Sequence, residues 1–403
     1  MHYEFCEAAQ ERLASYIDGI GAILRNKKRR ESFARYFLGL LGEGERKSIE
    51  PIAARAAGCP EETRAMTERL LHFVGEAKWE DQPVRDYAAR HAIEAMREHG
   101  PIEAWIVDDT GFIKQGDKSP GVQRQYTGSA GKTTNCQVVP SLTLCTRAAE
   151  VAVDMDLYLP ESWAEDRARC RAARIPEDLE FRPKWRMALD MIEQAVKRGY
   201  PIALLLADAA YGNVGEFRRG VRELGFEYAL DVQSSTRVQI ICDDGSTTTI
   251  MSVNTVAEVL GGRTFRKITW RQGTRRKLSS RFAAVRVRAV HSDDQLSEEQ
   301  WLIIERPSAR ETPTHYVLAT FPKTMTRKEM VRRTKQRWRI ERTYEDMKGE
   351  LGLDHFEGRS YPGWQHHVTC VLSCAAFVVA ERMRRFPPSQ GGSQDPHPLQ
   401  SAA

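Results

Sequence analysis

Apolar residues recur at helical spacing through the first quarter of the chain. Hydrophobic side chains stand three or four positions apart in "AAQERLASYIDGIGAIL", "RESFARYFLGLL", "RAMTERLLHFV" and "PVRDYAARHAIEAMREHG". The last of these segments ends at Gly100, and glycine is typical of helix C-termini. The pattern predicts a helical N-terminal domain over residues 1–98.

From residue 101 the pattern changes to alternating and β-branched residues. The predicted strands cover 103–109, 135–146 and 150–160, and short connections between them favour an antiparallel meander. The helical segment "KWRMALDMIEQAVKRGY" follows, and then "PIALLLADAAYGN", whose continuous apolar run predicts a strand buried on both faces of a sheet. Another helix, "VGEFRRGVRELG", comes next. Asp108 and Asp109 close the first strand, and Asp208 closes the fourth.

The acidic strand ends predict a metal site. If the first and fourth strands lie side by side, Asp108 or Asp109 comes close to Asp208, and such like charges repel unless a proton or a cation neutralises them. Mg²⁺ prefers oxygen ligands and often takes one or two carboxylates together with phosphate oxygens. The alternative is that both stretches are ordinary turns, in which Asp, Gly and Asn are common.

A third acidic position follows the most basic segment of the chain. Arg337, Glu341, Tyr344 and Lys348 are spaced by four, three and four residues, so a continuous helix carries them on one face. On such a face Glu341 can hold a metal while the two cations hold phosphates. The alternative is ordinary ion pairing along the helix, in which Glu345 also takes part.

Charge and composition narrow the class of protein. The net charge is only +5 with a pI near 8.7, but Lys and Arg cluster at 25–37 and 326–342, as binding surfaces or as solvated helix faces. The eight cysteines have no zinc-like spacing and predict reduced thiols. The acidic N-terminus predicts no export signal. The longest apolar run, 368–380, is shorter than the roughly 20 residues that span a bilayer and predicts a buried helix.

Several motifs occur together in one order along most of the chain. They are "ERKSIEPIA", "DDTGF", "GVQRQYTGSAGK" with "NCQV", "ADAAYGN", "RWRIE" and "LGLDHFEGR". This set resembles the DDE transposases with an RNase H-like core, in the insertion sequence 701 type that is related to the insertion sequence 4 group. The resemblance implies an α/β fold: an RNase H-like mixed sheet flanked by helices, with a helical N-terminal DNA-binding domain at 1–98 and an inserted β-rich domain.

The resemblance also indicates the last catalytic acid. In the broader group this acid lies in the pattern Tyr, two residues, Arg, three residues, Glu, six residues, Lys. Arg337, Glu341 and Lys348 match the pattern, while Thr334 stands at the tyrosine position, so no role is carried over from that tyrosine. By the resemblance, Arg337 and Lys348 neutralise phosphates near the scissile bond.

For the first catalytic acid, Asp108 and Asp109 both stay open. Related transposases usually read Asp, any residue, then Thr or Ser, which favours Asp108 with Thr110 as the hydroxyl residue. The resemblance implies a two-metal mechanism in which Asp108, Asp208 and Glu341 hold Mg²⁺, with Mn²⁺ as a substitute.

The spacing of the acids indicates an insertion. Glu341 follows Asp208 by 133 residues, whereas a simple crossover needs only about 30. The resemblance implies a β-rich insertion domain at 226–322 that helps to grip the transposon end. The two parts of the core then occupy 99–225 and 323–385.

Basic and aromatic residues mix in the insertion in a way that suits phosphates and stacked bases. This cluster comprises Phe265, Arg266, Lys267, Trp270, Arg271, Arg275, Arg276 and Lys277. Trp301 and Tyr316 are candidates for stacking on a flipped base, and an ordinary place in a strand core is the alternative for each. Further DNA contacts are predicted for Lys132, Lys335 and Arg339.

The resemblance implies metal-dependent DNA cleavage and strand transfer at the terminal inverted repeats of an insertion sequence, by a cut-and-paste route. The expected partners are double-stranded DNA of the transposon ends and the target, with a homodimer on DNA and no membrane. The expected location is the bacterial cytoplasm, at the nucleoid when DNA is bound. The alternatives are an RNase H-like nuclease without strand transfer and a domesticated, non-catalytic DNA-binding regulator. The tail at 386–403, rich in Pro, Gly, Ser and Gln, is predicted to be disordered.

Overall fold

The structure is a computed structural model that describes residues 7–272, 277–307 and 312–386. The predicted tail, apart from Phe386, and the predicted DNA-contacting residues Arg275 and Arg276 lie outside the described residues. The α-helices are α1 (Glu7–Leu24), α2 (Lys27–Leu41), α3 (Ile49–Ala56), α4 (Pro60–Gly75), α5 (Asp81–Arg97), α6 (Glu161–Glu165), α7 (Arg167–Ala172), α8 (Lys184–Lys197), α9 (Ala209–Gly212), α10 (Gly215–Glu223), α11 (Val253–Val259), α12 (Gly261–Thr264), α13 (Arg327–Thr334), α14 (Arg339–Gly349) and α15 (Tyr361–Arg385).

The strands are mostly short, and β1, β3 and β10 are the longest of those described. They are β1 (Ala104–Ile113), β2 (Gln123–Thr127), β3 (Lys132–Cys145), β4 (Glu150–Met155), β5 (Leu204–Ala207), β6 (Tyr228–Val232), β7 (Arg237–Ile240), β8 (Met251–Ser252), β9 (Arg266–Gln272), β10 (Lys277–Ala289), β11 (Gln300–Arg306) and β12 (His315–Ala319). Helices and mixed strand pairings together confirm the coarse prediction of an α/β fold.

The chain divides into two compact units. The first unit contains the described residues of 7–101, 109–183 and 340–386, and the second contains 102–108 and the described residues of 184–339. These two units differ from the five domain ranges predicted from the sequence. The five ranges stay a prediction. Within the described residues, no helix combines the length and the apolar character needed to cross a membrane.

Helices dominate the first unit. α1 to α5 fill the segment predicted to be helical, and local capping helps to define them: the side chain of Asn26 accepts the N–H groups of Lys28 and Arg29 at the start of α2. α15 packs against α2, α4, α5 and β4. Most of its residues are buried, His366 and His367 among them, which confirms the predicted buried helix.

The antiparallel strands of the first unit centre on β3. The first half of β3 pairs with β2 and the second half with β4. β1 continues to Ile113, so the predicted strand end at Asp109 is wrong. The reason lies in the residues after the acids: Phe112 is buried, and a Cβ on Gly111 would lie 1.9 Å from the hydroxyl oxygen of Thr127 in β2. The residues after Asp109 therefore pack against other parts of the first unit, which extends β1 to Ile113.

A mixed sheet forms the second unit. Its strand order is β1, β5, β6, β12, β11, β10, β7 and β8, with β9 paired to β10. β1, β5 and β6 run parallel, and the other pairs are antiparallel. The predicted pairing of the first strand with the "LLLA" strand is confirmed by the register Val107 to Ala207, and all four residues of β5 are buried, as expected. The predicted insertion contains strands, as expected, and β6 and β12 at its ends pair with each other.

The basic segment before Glu341 is not one continuous α-helix. α13 and α14 are separated by a 3-10 stretch at Lys335–Trp338, so the predicted single α-helical face from Arg337 to Lys348 is wrong. Tertiary contacts explain the interruption: Lys335 forms an ion pair with Glu305, and the guanidinium of Arg271 lies 3.6 Å from the ring centre of Trp338. A tighter 3-10 turn changes the direction of the side chains that follow it.

Candidate active site

Three aspartates stand one residue beyond the last residues that are paired between β1, β5 and β6, the three parallel strands of the second unit. The register pairs Val107 of β1 with Ala207 of β5, and Ala207 with Leu230 of β6. Each of these residues is followed by an aspartate, namely Asp108, Asp208 and Asp231. We call these three residues the strand-end acids. The carboxyl ends of neighbouring parallel strands are a common location of binding sites in α/β proteins.

Asp208 both ends β5 and begins the short helix α9. Its carboxylate accepts the main-chain N–H of Ala210 at 2.9 Å, which fixes the carboxylate at the sheet edge. The rest of the "DAAYGN" motif holds this turn against β6. A Cβ on Gly212 would lie 2.0 Å from the main-chain oxygen of Asp231, so only glycine fits there. Asn213 Oδ1 accepts the N–H of Gln233 at 2.8 Å, just after β6.

Arg337 joins two of the strand-end acids. Its Nη1 donates to Asp108 Oδ2 at 2.8 Å, and its Nε lies 3.5 Å from Asp231 Oδ2. The side chains are partly buried, with 14% of Asp108 and 25% of both Asp231 and Arg337 exposed. Partial burial strengthens such charge interactions relative to those in bulk water. The structure thus brings the predicted Arg337 to the predicted Asp108.

The strand-end acids fit a divalent cation by their chemistry. Carboxylate oxygens are the ligands that Mg²⁺ prefers, and Mg²⁺ often takes only one or two of them, with substrate phosphates completing the set. In the described part of the chain, however, no group of three or more His, Cys, Asp or Glu side chains is arranged to hold a metal ion. The predicted ligand set of Asp108, Asp208 and Glu341 therefore stays a prediction.

In the first unit, α14 carries the predicted site residues Glu341 and Lys348. Glu341 is exposed in its first turn, and so is Glu345 one turn later. Tyr344 is buried, and its hydroxyl lies 2.6 Å from that of Ser141. Lys348 Nζ donates to the main-chain oxygen of Gly111 at 2.9 Å and to Ser129 Oγ at 3.2 Å. Burial lowers the pKa of Lys348.

Lys348 belongs to a set of lysines that bind main-chain oxygens in the first unit. Lys47 donates to the oxygens of Leu40 and Gly42, and Lys114 donates to those of Asp354 and Phe356 at 3.2 and 2.7 Å. We call Lys47, Lys114 and Lys348 the carbonyl-bound lysines. Burial lowers the pKa of each of them. Lys114, two residues after "DDTGF", binds main-chain oxygens of "LGLDHFEGR", and Lys348 binds the main-chain oxygen of Gly111 within "DDTGF".

The other predicted DNA contacts fall into exposed and buried groups. Lys132 is exposed at the start of β3, and Trp270 and Trp301 are half-buried on β9 and β11. Tyr316 is buried and donates its hydroxyl to Asn254 at 3.0 Å, as expected of a strand-core residue, and its stacking on a flipped base stays a prediction. Arg339 is buried as well, and its predicted DNA contact stays a prediction.

A basic groove lies on the second unit between β9, β10 and α13. Its volume is about 800 Å³. The lining residues are Arg266, Lys267, Ile268, Thr269, Lys277, Arg327, Lys328 and Arg332. Six of these eight side chains are cationic and none is acidic, a composition that suits a chain of phosphates. Both basic segments, the cluster around β9 and the run at 326–342 that includes α13, were identified from the sequence, but their convergence on one groove was not.

Asp231 is the residue that the sequence analysis missed. The signal is present in "FEYALDVQ", whose apolar and aromatic residues favour a strand and whose aspartate stands near its end. Asp108 and Asp208 were selected because each is an acid at the end of a predicted core strand, and Asp231 meets the same criterion once β6 is known to pair with β5. Because β6 falls in the predicted insertion at 226–322, Asp231 was not considered with the core strands.

Comparisons with known proteins agree with these features. The family model described as "DDE superfamily endonuclease" matches residues 20–277, and the model "Transposase DDE domain" matches 182–377. The probable transposase for insertion sequence element IS701 from Microchaete diplosiphon is 24% identical over 371 residues, which cover 91% of this chain and 86% of that protein.

A solved structure is also similar, the cryo-EM structure of a piggyBac transposase synaptic complex with hairpin DNA. The TM-score is 0.44 at 9% identity, and the match covers 88% of this chain and 66% of that one. The first family model spans more than half of the residues, including Asp108, Asp208 and Asp231. The chain therefore belongs to the DDE superfamily of transposases and endonucleases.

Proposed function

We propose that this protein is a DDE transposase with an RNase H-like core, which cuts and rejoins DNA at the terminal inverted repeats of its own insertion sequence by a cut-and-paste route. The observation that carries the proposal is the pairing of β1 with β5, which aligns Asp108 with Asp208 at one edge of a parallel sheet. The family membership and the relative from an insertion sequence element support the same activity.

In this proposal Asp108, Asp208 and Glu341 hold Mg²⁺, for which Mn²⁺ substitutes. Asp109 is the alternative to Asp108. When bound, divalent cations at such acids activate water or a 3′-hydroxyl and stabilise the leaving oxygen of an in-line phosphoryl transfer. Asp208 keeps its carboxylate aimed at the site through the N–H of Ala210, so little reorganisation is needed when DNA arrives.

The cationic side chains of the second unit supply the affinity for DNA. Arg337 offers a planar guanidinium suited to a phosphate near the scissile bond, and the basic groove binds phosphates of the same duplex. Because each neutralised phosphate releases counterions, binding should weaken steeply as salt rises. We expect a homodimer on DNA, since paired cleavage of two ends usually needs two protomers. We also propose that the protein lies at the bacterial nucleoid when it is bound to DNA.

One assay separates the transposase from its two alternatives. A plasmid carrying the element between its own ends is incubated with the protein, Mg²⁺ and a second target plasmid, and the products are sequenced. The transposase gives both cleaved ends and joined target DNA. A nuclease gives cleavage without joining, and a regulator gives binding without cleavage. Matched reactions with EDTA, and with scrambled terminal repeats, are the controls.

A further inference from the structure

The ion pairs of Arg337 span two strands of the sheet. β5 lies between β1 and β6, so the guanidinium that contacts both Asp108 and Asp231 reaches across the strand that carries Asp208. A cationic group is therefore held at the edge where the proposed function requires a metal ion. Arg337 and a divalent cation therefore compete for Asp108, because a carboxylate bound to a guanidinium is less available as a metal ligand.

Asp231 is firmly held in this arrangement. It pairs with Val317 of β12 on one side, and its main-chain oxygen packs against Gly212 of the α9 turn on the other. The residue two positions later, Gln233, is bound through its N–H to Asn213. The carboxylate of Asp231 therefore projects from a backbone that is fixed by three separate contacts.

We propose that Asp231 is a positioning residue for the metal site, because it offers Arg337 a carboxylate that remains when Asp108 takes up a divalent cation. The inference rests on the proposed function, since it takes Asp108 as a metal ligand. In the metal-free protein the guanidinium is shared between Asp108 and Asp231. When Asp108 binds the cation, Arg337 stays at the site on Asp231, with donors directed towards a phosphate of the DNA.

The direct test is Mn²⁺ binding to the full chain, measured by the loss of the free Mn²⁺ signal in electron paramagnetic resonance. The wild-type protein is compared with Asp231→Asn, and Asp293→Asn is the matched control, since Asp293 also pairs with an arginine, Arg219, at 3.4 Å in the same unit. We expect Asp231→Asn to raise the Mn²⁺ dissociation constant about fivefold to tenfold, and Asp293→Asn to leave it within about twofold.

A double-mutant cycle with Arg337→Gln shows whether Asp231 acts through the arginine. Arg337→Gln alone removes the competing cation and should tighten Mn²⁺ binding severalfold. Adding Asp231→Asn to this variant should then change the dissociation constant by less than about twofold. If Asp231→Asn weakens binding equally in both backgrounds, Asp231 acts on the metal directly and the proposal is overturned.

The outcome stays interpretable if one variant is unstable. Circular dichroism establishes which variants fold. If Asp231→Asn does not fold, Arg337→Gln alone tests the proposal, because weaker Mn²⁺ binding in that variant would show that Arg337 does not compete with the metal ion for Asp108. A wild-type protein that shows no Mn²⁺ binding dependent on Asp108 overturns the proposal too. DNA cleavage is measured separately, so a failed transposase assay is distinguishable from a failed role of Asp231.

Discussion

Arg337 in the second unit and the carbonyl-bound lysines in the first unit are held by different kinds of oxygen. In the second unit, Arg337 meets the carboxylates of Asp108 and Asp231. In the first unit, the carbonyl-bound lysines donate to main-chain oxygens. A lysine on carbonyl oxygens fixes the path of the chain. A guanidinium between carboxylates can be exchanged for another cation. Sequence motifs alone did not separate these two uses, because Arg337 and Lys348 fall in one pattern.

The largest expected effect separates two neighbouring acids at the boundary of the units. Asp108→Asn should lower metal-dependent DNA cleavage by roughly a thousandfold or more, because it removes a proposed metal ligand, whereas Asp109→Asn should keep most of the activity. Single-turnover cleavage of the element's own end measures both, with DNA binding as the control for intact surfaces. Equal losses in the two variants would contradict the choice of Asp108.

The next effect concerns the support beneath the strand-end acids. Gly212→Ala should lower the free energy of unfolding by about 3 kcal/mol, because the added Cβ meets the main-chain oxygen of Asp231, which cannot move as a side chain does. Gly262→Ala is the matched control, since nothing lies within 4 Å of its Cβ position. Urea unfolding measures both, and a change below about 1 kcal/mol for Gly212→Ala would show that the turn adapts.

In the first unit, the pH dependence of stability should report a buried imidazole held by a carbonyl. His367 accepts from or donates to the Tyr36 hydroxyl at 2.8 Å through Nδ1, and its Nε2 lies 3.1 Å from the oxygen of Gly352. Burial lowers the pKa of His367 to about 4. The neutral form is therefore favoured in the folded protein, while the unfolded chain binds a proton near pH 6.5.

The sign follows from this difference: stability is lost as the pH falls from about 6.5 towards 4. Between pH 7 and pH 5 the contribution is about 2 kcal/mol. In His367→Gln the free energy of unfolding should fall by about 2 kcal/mol less than in the wild type between pH 7 and pH 5. Urea unfolding at both pH values measures this difference. His72→Gln, at an exposed position, should retain the wild-type decline. An unchanged slope in His367→Gln would contradict the account.

The smallest effect tests the carbonyl-bound lysines directly. Lys348→Met should lower the unfolding free energy by about 1 kcal/mol, because the oxygens of Gly111 and Ser129 lose a donor, and should leave Mn²⁺ affinity unchanged. Lys118→Met, with 69% of the lysine side chain exposed, should change stability by less than about 0.5 kcal/mol. If Lys348→Met weakened DNA binding at full stability, its predicted phosphate contact would be supported instead.

The sequence was most informative where a pattern is local. Continuous apolar residues identified β5, helical spacing identified α1, α2, α4 and α5, and an acid after each of two strands led to Asp108 and Asp208. What it missed depends on contacts between distant residues. The 3-10 turn at Lys335–Trp338 follows from partners in β9 and β11, and Asp231 became visible only when β6 was seen beside β5. The extension of β1 beyond Asp109 depends on Thr127 in the same way.

The most direct measurement uses a labelled duplex that carries the element's own end, in Mg²⁺ and in EDTA. Asp208→Asn removes a strand-end acid, and Glu341→Gln and Glu345→Gln form a matched pair, because both glutamates are exposed one turn apart on α14. We expect nicking in Mg²⁺ that EDTA abolishes, that is lost in Asp208→Asn and Glu341→Gln, and that persists in Glu345→Gln. Nicking that survives in Asp208→Asn, or in EDTA, would contradict it.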